Sequence, residues 1–361
     1  MPEANAPFDL ESLVRENILR LKPYSSARSE FNGNAEVFLD ANENAFGSPA
    51  GGGHNRYPDP LQTDLKARAA VFLRVPPSQI FVGNGSDEAI DLMFRIFCEP
   101  GVDEAIICPP TYGMYKVSAE INDVAVQEVS LDEGFQLDVP AILDGIAPRT
   151  KLIIVCSPNN PTGNLMDEDA ILKIARSFRG MVVVDEAYIN FAHRPSMVEK
   201  LDAAPNIVVL QTFSKAWGMA GLRVGLAIAN ERVVSLMNRV KPPYNVSGVA
   251  QRLVLEALEK CDPVDEWIAE MWKERDRLVK ELEALHVVRK IYPTDANFVL
   301  AKFSDANAIY GHLVDRGIVV RDRSGVELCE GCLRITVGTR TENDRLIEAL
   351  SGFEKERVAI L

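Results

Sequence analysis

Residues 206–229 read Asn206-Ile-Val-Val-Leu-Gln-Thr-Phe-Ser-Lys215-Ala-Trp-Gly-Met-Ala-Gly-Leu-Arg223-Val-Gly-Leu-Ala-Ile-Ala229. The stretch predicts two apolar strands joined by a turn of small residues, with a single lysine, Lys215, in that turn. Burying an ammonium group is unfavourable unless its charge is consumed. A covalent imine between Lys215 and an aldehyde cofactor would consume the charge, so this stretch raises the hypothesis of such a cofactor.

Further apolar runs precede this stretch and predict the other strands of the same sheet. They are short, β-branched and continuous rather than alternating, which is typical of strands that are buried on both faces. Helical patterns with acidic first turns lie between them. The sequence therefore predicts an α/β large domain with a mostly parallel, seven-stranded sheet covered by helices. The candidate strands are Ile80–Val82, Ala105–Cys108, Val124–Val129, Leu152–Cys156, Met181–Val184, Ile207–Leu210 and Val224–Ala229.

The pattern changes after Pro242-Pro243. Residues 247–284 are almost entirely helical, and strands and helices then follow in a sparser order that indicates a smaller α+β domain. We expect residues 1–35 to form an arm and helix that join the small domain or a partner subunit, residues 36–245 to form the large domain, and residues 246–361 the small one. Candidate strands of the small domain lie near Val287–Ile291, Asn297–Lys302, Ile318–Val320 and Cys332–Val337.

Charge and composition restrict the classes of partner. The 361 residues carry a formal net charge of −13, which repels phosphodiester backbones and anionic membrane surfaces, so we expect neither nucleic acid nor membrane as a partner. No apolar run has the length of a signal peptide or a membrane span, and we expect a cytoplasmic protein. Cys329 and Cys332 form an isolated C-x-x-C pair, which is more typical of a solvated turn than of a zinc site.

Four segments follow candidate strands at their carboxyl ends, where open α/β sheets bind ligands. Residues 82–88 form a glycine turn that leads into a helix N-terminus, a natural place for a phosphate group. Residues 157–163 place Asn160 between two prolines, and Asp185 directly follows a buried strand. The fourth segment carries Lys215 and Arg223. Each segment alone has a structural explanation, but their combination indicates a ligand site.

The order and spacing of these segments resemble fold-type-I pyridoxal-phosphate (PLP) aminotransferases over nearly the whole chain, and the histidinol-phosphate aminotransferase family is the nearest in likeness. The resemblance implies an aspartate-aminotransferase-like fold. It rests on the four segments and on Leu21-Lys-Pro-Tyr24, Ser26-Ala-Arg28, Leu39-Asp-Ala-Asn-Glu-Asn44, Arg56-Tyr-Pro-Asp59, Pro110-Thr-Tyr-Gly-Met-Tyr115 and Leu333-Arg-Ile-Thr-Val-Gly338.

The resemblance assigns cofactor roles to particular residues. Lys215 would bind PLP as an imine and later move a proton, and Asp185 would keep the pyridine nitrogen protonated. Asn160 and Tyr188 would hydrogen-bond the phenolate oxygen, and Tyr112 would stack on the ring. The cofactor phosphate would contact Gly85, Ser86, Asp87, Thr212, Ser214 and Arg223, together with Tyr57 of the other subunit, which implies a homodimer with shared active sites.

Substrate residues are also implied by the resemblance. Arg334 and Arg321 would hold the substrate anion, since two arginines bind a dianion better than they bind a carboxylate. Tyr24 would come from the partner's arm, and Asn42 lies in a loop near the substrate. That loop departs from the family pattern, with Ala45 in place of a proline and with the glycines of 51–53 following. For Arg323 we expect a solvated turn arginine, and a contribution to this anion site is the alternative.

These expectations predict a transaminase that acts on a small anionic amino substrate and a 2-oxo acid. The specific reaction would convert L-histidinol phosphate and 2-oxoglutarate to imidazole acetol phosphate and L-glutamate, a step of histidine biosynthesis. The alternatives are an aromatic amino-acid aminotransferase, a threonine-phosphate decarboxylase, or, more remotely, a non-catalytic PLP-binding protein. No histidine has the spacing of a metal ligand, and we expect no metal.

Overall fold

The structure, a computed structural model, describes residues 8–24 and 36–358. Its larger sheet has the strand order β1-β7-β6-β5-β4-β2-β3. The pairs β2–β3, β2–β4, β4–β5 and β5–β6 are parallel, whereas β7 pairs antiparallel with β6 and β1. The predicted α/β fold with a mostly parallel seven-stranded sheet is therefore confirmed. The strands are β1 Ile80–Gly83, β2 Glu104–Ile107, β3 Ala125–Glu128, β4 Thr150–Cys156, β5 Met181–Asp185, β6 Ile207–Thr212 and β7 Gly225–Ala229.

Helices cover both faces of this sheet because its strands are apolar on both sides. One face packs with α3 and α7, through side chains such as Ile90 and Val233. The opposite face packs with α2, α6 and α8, through side chains such as Leu65, Ile171 and Val254. The helices are α1 Glu16–Arg20, α2 Thr63–Leu73, α3 Ser86–Phe97, α4 Met114–Ile121, α5 Val139–Asp144, α6 Glu168–Ser177, α7 Glu231–Val240, α8 Gly248–Glu259, α9 Asp262–Glu283, α10 Ala306–Asp315 and α11 Arg340–Val358.

The described part of the N-terminal arm lies on the large sheet's helices. Leu10, Val14 and Ile18 are buried in the same apolar cluster as α3 and α7. The backbone N–H of Arg15 donates to the Ile96 carbonyl over 3.0 Å, and Arg232 pairs with Glu11 at 2.7 Å. The apolar spacing of 10, 14 and 18 lets these side chains pack against the two helices. The expectation that residues 1–35 join the small domain or a partner subunit stays a prediction. Residues 25–35, including Ser26-Ala-Arg28, lie outside the described residues.

The second sheet is antiparallel, with the order β10-β11-β9-β8. Alternate residues face opposite sides: Val299 and Leu333 contact α9, α10 and α11, whereas Phe298 and Cys332 join the large sheet's apolar cluster. The strand expected at 318–320 is wrong; the chain leaves α10 with Val319 79% exposed and pairs only from Arg321. The strands are β8 Val288–Ile291, β9 Phe298–Phe303, β10 Arg321–Asp322 and β11 Cys332–Thr336. The domain boundaries at 35 and 245 stay a prediction.

Two further observations concern expectations from the sequence. Across residues 8–24 and 36–358, no helix combines the length and the apolar character that a bilayer crossing needs. Cys329 and Cys332 are both fully buried, so the expected solvated turn is wrong. Burial raises the pKa of the Cys329 thiol to about 12, and within the described residues no cluster of His, Cys, Asp and Glu could hold a metal ion.

Candidate active site

One cavity of about 680 Å³ opens at the carboxyl ends of three neighbouring strands. Cys156, Asp185 and Thr212, the last residues of β4, β5 and β6, all contribute to its wall. Arginines of β10, β11 and the turn between them close the opposite side. Twelve of the residues singled out from the sequence line this cavity: Ser86, Asp87, Tyr112, Asn160, Asp185, Tyr188, Thr212, Ser214, Lys215, Arg223, Arg321 and Arg334.

Lys215 lies in the turn between β6 and β7, and its amine faces the cavity. Nζ lies 5.4 Å from the centre of the Tyr188 ring. Burial lowers the pKa of the Lys215 ammonium, and the positive charge of Arg334 lowers it further, while Asp185 opposes the shift. A lysine with a lowered pKa is more often the neutral amine, which is the form that attacks an aldehyde.

Asp185 is the buried acid of the site. Its carboxylate accepts a hydrogen bond from the Tyr115 hydroxyl over 2.7 Å and one from the Ala187 backbone N–H over 3.0 Å. Burial raises the pKa of Asp185, and these two donors oppose that rise. Tyr115 is fully buried and had no role assigned from the sequence. Its signal was weak, because a tyrosine at the start of α4 resembles an ordinary core aromatic residue.

The turn before α3 forms a seat for a phosphate-sized anion. Gly85 has a φ of +77°, and a Cβ there would stand 2.7 Å from Arg223 Nη2. A Cβ on Gly225 would stand 2.3 Å from the backbone nitrogen of Ser86. Two glycines therefore let β7 and Arg223 approach the start of α3, whose first backbone N–H groups lack helical partners.

Arg223 is positioned beside this seat by short polar contacts. Its Nη2 lies 3.2 Å from Asp87 Oδ2, and its Nη1 lies 3.4 Å from Ser214 Oγ. Tyr112 donates to the other oxygen of Asp87 over 3.2 Å. These contacts gather one cation, one hydroxyl and free amides around the turn, which is the donor set that a phosphate ester needs. The residues present therefore fit the phosphate group of PLP.

Asn160 and Arg334 meet across the cavity. Arg334 Nη1 donates to Asn160 Oδ1, and the guanidinium lies 5.1 Å from the centre of the Phe298 ring. Burial lowers the pKa of Arg334. Tyr188 packs edge-on against the same Phe298 at 5.1 Å. Phe298 thus orients a predicted cofactor residue and a predicted substrate residue, a role that sequence reasoning missed because Phe298 reads as a strand core residue.

Three predicted residues lie away from this cavity within one chain. Asn42 and Tyr57 line a separate concavity of about 710 Å³. Tyr57 stacks on Tyr244 with 4.5 Å between ring centres, and its backbone N–H donates to Glu43 over 2.7 Å. Tyr24 is 74% exposed. The chain alone therefore does not bring these three side chains to Lys215.

Arg323 is not the solvated turn arginine that we expected. It is half-buried, it lines the cavity beside Arg321 and Arg334, and its Nε is buried without a hydrogen-bond partner among the described residues. Its backbone N–H donates to the Cys332 carbonyl over 3.0 Å, which extends the pairing of β10 with β11. The expectation failed because this extension turns the side chain inward.

The fold and the lysine-bearing cavity define an aspartate-aminotransferase-like protein. An aspartate aminotransferase of Thermus thermophilus, 26% identical, superposes with a TM-score of 0.71 over 83% of this chain and 88% of its own. The chain belongs to the family described as aminotransferase class I and II, which matches residues 30–350. The prediction of an aminotransferase is thereby confirmed.

Individual relatives are similar over their full length. A histidinol-phosphate aminotransferase of Cytophaga hutchinsonii is 52% identical over 346 residues, covering 96% of this chain and 99% of the relative. A solved structure of a histidinol-phosphate aminotransferase from Clostridium acetobutylicum, 25% identical, has a TM-score of 0.78 and covers 84% of this chain and 92% of its own.

Proposed function

We propose that this protein is a PLP-dependent histidinol-phosphate aminotransferase. It would transfer the amino group of L-histidinol phosphate to 2-oxoglutarate. The observation that carries the proposal is the shared wall of one cavity: Asp185 at the end of β5 and Lys215 in the turn after β6 lie there together with Arg321, Arg323 and Arg334. The similarity to the Cytophaga hutchinsonii enzyme, 52% identity over nearly the full length of both chains, supports the same substrate.

Lys215 and Asp185 would do the chemical work of this chain. PLP, when bound, supplies an electron sink for the carbanion at the substrate's reacting carbon. The Lys215 amine would bind the cofactor's aldehyde carbon covalently, and after the substrate's amine replaces it, Nζ would move a proton at that carbon. The Asp185 carboxylate would hold a proton on the pyridine nitrogen, an arrangement that the Tyr115 hydroxyl stabilises from 2.7 Å.

The remaining residues would bind and orient. Ser86, Thr212, Ser214 and Arg223, with the turn at Gly85 and Asp87, would hold the cofactor phosphate. Tyr112 would stack on the ring, and Asn160 and Tyr188 would donate to its phenolate oxygen. Arg321 and Arg334 would hold the phosphate of the substrate, because each guanidinium group can donate two parallel hydrogen bonds to two phosphate oxygens. Tyr57, Tyr24 and Asn42 would reach the site of a partner subunit in a homodimer.

Two observations bear on the alternative substrates. The cavity carries Lys215, Arg223, Arg321, Arg323 and Arg334 against only Asp87 and Asp185. This surplus of cations favours a phosphorylated substrate over an aromatic amino acid, although it does not by itself separate histidinol phosphate from threonine phosphate. The full-length relatives favour histidinol phosphate.

The test follows the visible absorbance band of the PLP-loaded protein in single-turnover reactions. Histidinol phosphate should convert the band faster than phenylalanine or threonine phosphate does, and 2-oxoglutarate should restore it. An unchanged band with histidinol phosphate would refute the substrate, and release of carbon dioxide from threonine phosphate would establish the decarboxylase instead.

A second measurement tests the role of Lys215 independently of turnover. After borohydride reduction and unfolding, the wild-type protein should keep PLP covalently attached, because hydride reduces the imine to a secondary amine that does not hydrolyse. Lys215→Ala should lose the label. Lys280→Ala, which removes an exposed lysine of α9, should keep it. Retention of the label by Lys215→Ala would assign the attachment to another lysine.

A further inference from the structure

Three arginines point from one edge of the second sheet into the cavity. Arg321 and Arg334 are direct cross-strand partners in the β10–β11 pair. Arg323 lies two residues beyond Arg321, and its backbone N–H continues the ladder to the Cys332 carbonyl at 3.0 Å. Because side chains alternate along a strand, positions 321 and 323 share a face, and cross-strand partners share it too. All three side chains line the cavity.

This cluster carries three positive charges, and Asp322, between two of them in sequence, is an acid that acts on Arg323. Within residues 8–24 and 36–358, none of the three guanidinium groups forms a salt bridge, in contrast to Arg277, which pairs with Glu274, Glu281 and Asp344. Like charges directly opposite each other on two strands destabilise the pairing. Burial lowers the pKa of Arg323, and the charges of Arg334 and Arg321 lower it further. A bound anion would offset this repulsion.

The hydrogen-bond donors point to the same conclusion. Arg334 Nη1 already donates to Asn160, and the guanidinium lies over the Phe298 ring. Only some of its N–H donors are therefore available to a bound anion. Arg323 Nε is buried and has no partner among the described residues. A buried donor without a partner is unfavourable, and a bound oxyanion would satisfy it.

We propose that Arg323 is a third arginine of the substrate-phosphate site and determines its preference for a dianionic phosphate over a carboxylate. The inference rests on the proposed function and adds to it a role for Arg323 in binding the substrate phosphate. A carboxylate has two oxygens, which one guanidinium fork satisfies. A phosphate monoester presents three oxygens with a charge of about −1.5 to −2 at pH 7, so it can accept from further arginines at once.

The decisive comparison uses one substrate with and without its phosphate. We would measure the apparent dissociation constants of histidinol phosphate and of histidinol from the concentration dependence of the single-turnover band change. In Arg323→Gln the dissociation constant for histidinol phosphate should rise roughly tenfold, while that for histidinol should stay within about twofold. Arg323→Lys should recover part of the loss, since it restores the charge without the fork.

A binding measurement without turnover separates this inference from the proposed function. Inorganic phosphate titrated calorimetrically into the PLP-loaded protein should bind more weakly to Arg323→Gln than to the wild type. Arg289→Gln removes the same charge from an exposed position of β8 and should change neither measurement.

The possible outcomes are distinct. If the wild type does not react with histidinol phosphate, but Arg323→Gln still binds inorganic phosphate more weakly than the wild type, the proposed substrate is wrong and the role of Arg323 in anion binding is retained. If the wild type reacts and Arg323→Gln changes both substrates equally or neither, the role of Arg323 is wrong. If Arg289→Gln matches Arg323→Gln, the effect is one of net charge, and the inference fails.

Discussion

Tyr115 is the residue whose position most changes the chemistry of Asp185. It is fully buried in α4 and donates to the Asp185 carboxylate over 2.7 Å. Burial alone would favour the neutral acid, and the neutral acid could not hold a proton on a pyridine nitrogen. The hydrogen bond lowers the pKa of Asp185 against that tendency. Tyr115 is therefore a positioning residue that keeps Asp185 in its anionic form.

Replacing Tyr115 with phenylalanine tests this role. The lost donor should raise the pKa of Asp185, so a larger fraction is protonated at a given pH. The acidic limb of the kcat profile should then move to higher pH, and kcat at neutral pH should fall roughly tenfold to a hundredfold, in keeping with about 1.5–3 kcal/mol for a hydrogen bond to a charged group. Tyr310→Phe, which removes a half-buried hydroxyl of α10, is the matched control. A fall in kcat with an unmoved acidic limb would mean that Tyr115 acts only by packing.

For single residues, the sequence predicted functional roles where the residue type is unusual for its position, and it missed the roles of residues that look ordinary. Lys215 and Asp185 stand at the ends of apolar strands, where charge needs an explanation. Tyr115 and Phe298 occupy positions where any large aromatic residue would pack. The inward direction of Arg323 depends on the pairing of 323 with 332, and pairing between distant residues is not visible in local pattern.

A network of largely half-buried polar groups joins the phosphate seat to two distant segments. Glu88, in the first turn of α3, accepts from the Asn84 backbone N–H over 2.5 Å and from Asn245 Nδ2 over 2.8 Å. Asn245 Nδ2 also donates to the Val82 carbonyl over 3.0 Å. Lys241 Nζ donates to the carbonyl of Pro60 over 2.7 Å. The turn at Gly85 is thus held from the chain that follows α7.

We expect Asn245→Ala to loosen this seat. The change removes both donor bonds of Asn245 and leaves the Glu88 carboxylate short of a partner, so the turn before α3 should be less ordered. The dissociation constant for PLP, measured by equilibrium dialysis and absorbance, should rise roughly tenfold, in line with one or two lost charge-assisted bonds.

The control for this prediction is Asn307→Ala, which changes an exposed asparagine of α10 and should leave PLP affinity unaltered. Thermal unfolding of both apo variants separates a local effect from a global one. An Asn245→Ala protein that unfolds at a much lower temperature but binds PLP as tightly as the wild type would place the network's role in stability and not in the seat.

All seven strands agree with their predictions to within about two residues. Six are buried on both faces and were predictable because their apolar runs are continuous, whereas β3 at the sheet edge is half-exposed. The antiparallel pairing of β1 with β7 was not predictable, since 80–83 and 225–229 are distant in sequence. The two-residue strand β10 escaped notice because its arginine and aspartate carry no apolar pattern. Long-range register, rather than local propensity, separates what the sequence predicts from what it leaves open.

Tyr57 is predicted to contact the cofactor phosphate, but it lies apart from the active-site cavity of its own chain. Within one chain Tyr57 stacks on Tyr244 in a concavity apart from the cavity that Lys215 lines. Glu43 holds this segment through the Tyr57 backbone N–H and through Arg56, with 2.6 Å between Glu43 Oε2 and Arg56 Nη1. The segment is therefore firmly attached to its own chain, and we expect Tyr57 to reach the cofactor of a second copy of the chain.

Mixing two inactive variants tests this arrangement. Lys215→Ala removes the amine, and Tyr57→Ala removes the side chain that a partner would supply. In a heterodimer one site would combine the intact Lys215 of one chain with the intact Tyr57 of the other. After unfolding and refolding of an equal mixture, half of the dimers are mixed and each has one complete site, so activity should reach about a quarter of the wild-type value. Each variant refolded alone should stay inactive. No gain on mixing, despite heterodimers in native mass spectrometry, would show that Tyr57 serves its own subunit or none.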